Sequence, residues 1–154
     1  MILSTGLADI LAGGSPGQSL RTIFNGGVIG LFDGTQPADS NLAESGSLVG
    51  YITLSAGPFT PGQPGNGLVW DAVVNGECMK PGGVVWAIVP LITTSITWAR
   101  LYTNSRVLGA STTEPRIDLS CGVASGDMRW ASLNFVTGIQ RSVDVMSLAI
   151  RRFL

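Results

Sequence analysis

The chain contains no histidine, so the imidazole used by most catalytic triads, general bases and zinc sites is missing from the outset. Charge is scarce as well. Charged residues make up 12% of the 154 positions, against roughly 25% in ordinary soluble domains. Nine basic residues face ten acidic ones, which leaves no electrostatic footprint for nucleic acid, and the Arg151-Arg152 pair is too short to create one. The two cysteines, Cys78 and Cys121, have neither C-x-x-C spacing nor a histidine partner and are expected as buried reduced thiols. Long apolar runs are missing too. Val84 to Ile92 is interrupted by Pro90 and falls far short of a bilayer span, and the N-terminus shows no basic region ahead of an apolar one. These gaps point away from an enzyme, a cofactor or metal carrier, a nucleic-acid binder and a membrane protein.

What remains is apolar. Hydrophobic residues reach 45%, mean hydropathy is +0.36 and the net charge is -1. So little charge cannot coat an isolated monomer, and we expect part of the apolar surface to be covered by partners, including copies of the chain as a dimer or trimer. The length suits one domain with a substantial core.

Short apolar segments alternate with turn residues throughout. Thr97 to Thr103, Ile117 to Val123, Met128 to Thr137 and Ser142 to Ile150 read as adjoining strands, the last two forming a hairpin across Gly138 to Arg141. Asn25-Gly26, a hairpin signal, splits Ser19–Asn25 from Gly27–Phe32, which read as one bent strand or two, and Asn75-Gly76 reads as a second turn. Asp33 to Ser47 and the Pro/Gly-rich Gly57 to Gly67 read as loops, Leu48 to Ser55 and Leu68 to Val74 as strands, and Val84 to Ile92 as a strand buried on both faces. Near the start, Ser4 or Thr5 can cap a short helix bearing Leu7, Ile10 and Leu11 on one face and ending at Gly13-Gly14. The expected fold is therefore all-β, an antiparallel sandwich or jelly roll of about eight strands. Residues 1–18 form an N-terminal helix or arm, and residues 19–154 the β domain. Whether the arm reaches a neighbour or folds back is left open by the pattern.

Motifs that resemble catalytic signatures lack their context. Gly13-Gly14-Ser15-Pro16-Gly17 spells G-x-S-x-G without the strand, helix and base that this motif needs. Glu114 and Asp118 flank Arg116, so a structural ion pair with that arginine is expected before a glycosidase pair. Asp33 and Asp39 lack calcium-loop spacing, and Gly62, Gly65 and Gly67 do not join a strand to a helix. Contact residues are expected instead. These are Leu7, Ile10 and Leu11 on the arm, Pro58, Phe59, Pro61 and Pro64 in the Pro/Gly loop, and Trp98, Arg100 and Tyr102, whose alternation of aromatics with arginine favours an interface.

LRTIFNGGVIGLFDGTQP (Leu20 to Pro37), YITLSAGPFTPG (Tyr51 to Gly62), TWARLYTN (Thr97 to Asn104) and STTEPRIDLSCGVASGDM (Ser111 to Met128), in this order, resemble a group of small virion structural proteins of tailed bacteriophages. The resemblance spans about Leu20 to Ile150 and departs from the group's pattern at Leu119 and Cys121, where that pattern has glycine and valine. It implies a non-enzymatic particle component in many copies, assembled in the bacterial host cytoplasm and carried in the virion. A capsid decoration (cement) protein bound to the major capsid protein shell is the first expectation, and a neck, tail or tail-tip component the second. A carbohydrate-binding module using Trp70, Trp86, Trp98 or Trp130 as a stacking platform is a third reading, of a different class.

Overall fold

Ser4 sets the beginning of the fold. In the computed structural model, which describes Met1 to Ala149, its hydroxyl accepts the Leu7 N–H at 3.2 Å as the N-cap of α1 (Thr5–Asp9). The same oxygen donates to the Glu114 carbonyl at 2.7 Å and accepts the Arg116 N–H at 2.9 Å, so capping also docks the helix on the body. A π-type turn (Ile10–Gly14) follows and is kinked at Gly13, whose φ of 112° favours glycine. Ahead of the helix, β1 (Ile2–Leu3) pairs with β8 (Arg116–Gly122). Leu7 is fully buried and Leu11 packs against the core, so residues 1–11 lie on their own sheet.

The expected strand before Asn25-Gly26 is a helix. Ser19 and Thr22 form a reciprocal capping box that satisfies the first free N–H groups of α2 (Leu20–Phe24), and Phe24 is buried beneath it. Asn25-Gly26 then turns the chain from helix into β2 (Val28–Phe32) instead of joining two strands.

The remaining strands are β3 (Leu48–Leu54), β4 (Glu77–Met79), β5 (Trp86–Ile88), β6 (Thr94–Ser95), β7 (Trp98–Tyr102), β9 (Met128–Arg129), β10 (Asn134–Phe135), β11 (Arg141–Val143) and β12 (Ser147–Ala149). An eight-stranded sheet runs β1-β8-β7-β2-β3-β5-β11, with β9 added parallel to β8; its other pairings are antiparallel. Two short pairs, β10 with β6 and β12 with β4, complete a mostly-β architecture. Every residue of β2 and β7 is buried, which requires cover on both faces. One face holds Ile29, Leu31, Ala99 and Leu101 in the main core with Trp70, Trp86 and Phe135. The other carries Phe32 and Trp98, stacked at 4.5 Å between ring centres, beneath the loop of residues 33–47.

The expected hairpin of 128–137 with 142–150 does not form. Residues 128–137 break into β9 and β10, and 142–149 into β11 and β12, each paired with an earlier part of the chain. Distant pairing won because β5 and β4 offered open edges, whereas the local hairpin would have left those edges bare. Ile150 and the Arg151-Arg152 pair lie outside the described residues. Of Val84 to Ile92 only β5 is a strand, fully buried as read, while Val85, Val89 and Leu91 are exposed. Leu68 and Trp70 are buried and Val69 exposed, yet the segment expected as a strand is extended chain with isolated backbone bonds, among them Asp71 N–H to the Met79 carbonyl, before the Val74–Glu77 bridge.

Candidate functional site

Arg100 on β7 lies opposite Asp118 on β8, and both side chains are fully buried. Its Nε donates to Asp118 Oδ1 at 2.6 Å and its Nη2 to Oδ2 at 2.7 Å, a two-pronged pair that fixes the guanidinium plane. The remaining nitrogen, Nη1, donates to the Leu42 carbonyl at 2.9 Å and to Glu44 Oε1 at 3.2 Å. Glu44 also accepts the Tyr102 hydroxyl at 2.8 Å and the Gly109 N–H at 2.9 Å. Burial pushes the Glu44 carboxyl up, but these donors and the Arg100 charge outweigh it and hold it below the ordinary value of 4.5.

Trp98, Arg100 and Tyr102 therefore do not offer the exposed contact face that their alternation suggested. The loop of residues 33–47 covers them, with Arg100 stacked 5.4 Å from the Trp98 ring centre. Arg116 likewise does not pair with Glu114 or Asp118. Its guanidinium donates to the Gly109 and Val107 carbonyls, clamping a second loop. Asp118 is buried and committed to Arg100, so the two carboxylates of the Glu114/Asp118 spacing do not act as a pair. Ser15 lies in a surface link without a base in hydrogen-bond contact, and among the described residues no group of three or more Cys, Asp or Glu side chains could hold a metal ion.

The two clamped loops bring apolar residues outward. Ser111 N–H donates to the Asn41 carbonyl, and Gly109 to Glu44, so Leu42, Val107 and Leu108 stand exposed on neighbouring loops fastened from below by two buried arginines. Elsewhere Val89, Leu91, Val136 and Ile139 are exposed where the Gly138 N–H donates to the Pro90 carbonyl, Leu91 at 63%. Val145 stands out at 76% on the rim of an open groove of about 1100 Å³ lined by Asp127, Trp130, Arg141, Val143 and Met146.

Other expected contact residues are divided. Leu7 is buried in its own domain, and Ile10 and Leu11 are half-buried. Pro58, Pro61 and Pro64 are exposed on the Pro/Gly loop, and Phe59 is half-buried under Arg106, whose guanidinium also covers the Tyr51 ring at 4.8 Å. All four tryptophans are buried, so none is a stacking platform for sugar. Sequence reasoning missed the Glu44 fastening, for which no local signal existed, and the exposure of Val85 and Val89 in a run expected to be buried on both faces. No protein-family model, curated protein or solved structure matches the chain.

Proposed function

We propose that this chain is a non-enzymatic structural protein of a tailed-phage virion, most specifically a decoration protein that clamps the major capsid protein shell. The observation that carries the reading is the surface. Large apolar side chains such as Leu91 and Val145 stand in solvent on a chain with a net charge of -1, a combination that favours a permanent place in an assembly. This reading is supported by the buried ionic groups, which fasten loops, and by the four tryptophans, which lie in the interior. The sandwich or jelly-roll architecture belongs to this reading, supported by the main core packed against one face of the large sheet. A clip that binds only the expanded shell adds its association free energy to that state.

Copy number tests this. Quantified against the major capsid protein in purified particles, a near-stoichiometric amount supports decoration. A handful of copies per particle, in multiples of three or six at one vertex, transfers the chain to the neck or tail.

A further inference from the structure

Three Asn-Gly pairs occur in the chain, Asn25-Gly26, Asn66-Gly67 and Asn75-Gly76. In such a pair the glycine nitrogen can attack the asparagine side-chain carbonyl carbon, because no Cβ shields its approach. The reaction needs a free glycine N–H and a side chain able to swing onto it.

The fold withholds both conditions from Asn25-Gly26 and the second, a mobile side chain, from Asn66-Gly67. Gly26 N–H donates to the Leu68 carbonyl at 2.7 Å while Asn25 Oδ1 accepts the Trp70 N–H at 3.3 Å. Asn66 donates through Nδ2 to the Pro58 carbonyl at 2.8 Å, packs against Gly57, and precedes a buried Gly67. Asn75 and Gly76 differ. Both are exposed at the tip of a two-residue turn, with φ of 52° and 80°, closed by reciprocal Val74–Glu77 backbone bonds of 3.0 and 2.9 Å. Among the described residues, neither the Asn75 amide nor the Gly76 N–H has a hydrogen-bond partner.

We propose that Asn75-Gly76 is a self-modification site of the folded protein. The Gly76 nitrogen bonds to Asn75 Cγ and the Cγ–Nδ2 bond breaks, so that the amide leaves as ammonia carrying the Gly76 proton. Water then opens the five-membered imide at either carbonyl and leaves aspartate or isoaspartate at position 75. No oxidant, metal or enzyme is required. The product places a carboxylate beside exposed Val73 and Val74. In the isoaspartate form, one extra backbone carbon spoils the two-residue turn.

The test is peptide mapping by mass spectrometry, with isoaspartate detection, of the full chain aged at mildly alkaline pH with and without denaturant. In the folded protein position 75 converts about tenfold or more faster than 25 and 66, which must first open locally, and denaturant collapses that difference. Asn75→Gln removes the fast conversion and leaves the other two rates unchanged. Equal rates at all three positions in the folded chain would overturn the proposal. So would a position 75 that converts only after denaturation.

Discussion

Arg100 and Asp118 face each other across neighbouring strands and share two hydrogen bonds of 2.6 and 2.7 Å with no exposure to solvent. A pair this deep is costly to break from one side, because the survivor is left charged and unpartnered. Asp118→Ala is expected to destabilise the chain by about 3–5 kcal/mol, measured by denaturant unfolding. Replacing both residues at once, Arg100→Met with Asp118→Leu, costs less than the sum of the single changes. Additive losses would show that the two side chains do not act as a unit.

Glu44 makes stability depend on acid. Its carboxyl is lowered in the folded chain, so the unfolded chain binds protons first as pH falls from the ordinary value of 4.5. The stabilisation is complete above that value and is lost as pH drops through the folded-state value. Glu44→Gln is expected to cost about 1–3 kcal/mol at neutral pH and to flatten this part of the acid limb. An unchanged acid limb in the variant would remove Glu44 as its source.

The thiols are expected to be inert. Burial pushes Cys121 up to about 12, reinforced by the nearby Asp127 charge, and burial also raises Cys78. Since the thiolate is the nucleophile, a thiol-specific reagent at mildly alkaline pH labels neither residue until denaturant is added. Rapid labelling of the folded chain would contradict the burial of Cys78 and the raised thiol of half-buried Cys121.

Two glycines separate backbone constraint from mere presence. A Cβ at Gly67 would strike the Gly26 carbonyl, whereas one at Gly82 meets nothing within 4 Å. Gly67→Ala therefore lowers the melting temperature clearly. Gly82→Ala is neutral or raises stability by up to about 1 kcal/mol.

Core and surface apolar residues part in the same way. Trp98→Ala removes the ring stacked on Phe32 and is expected to cost about 3–5 kcal/mol. Leu91→Ser changes stability by less than about 0.5 kcal/mol but lowers self-association or shell binding, read by sedimentation.

Local signals in the sequence carried the all-β class, the Ser4-capped helix, the two long loops and β3. Distant competition decided the rest. Residues 128–149 have ordinary strand character, but nothing in them records that β4, β5 and β6 would take their edges in place of each other. Ser19 to Phe24 has enough apolar content for a strand, and only the Ser19–Thr22 box tips it to a helix. Trp98, Arg100 and Tyr102 alternate like an interface, yet a cover supplied more than fifty residues earlier by Leu42 and Glu44 turns that face into interior. Alternation reports that a strand has two faces. It does not report what covers the second one.

On the function proposed above, a viral shell covers this apolar surface. Cosedimentation of the purified chain with expanded, empty shells of the tailed phage proposed to carry it tests this most directly. The expected result is saturable binding near one copy or one oligomer per repeating shell site, weakened by Leu91→Ser or Val145→Ser and absent on unexpanded shells. A chain that stays in the supernatant as a stable, highly soluble monomer at every shell concentration would contradict it.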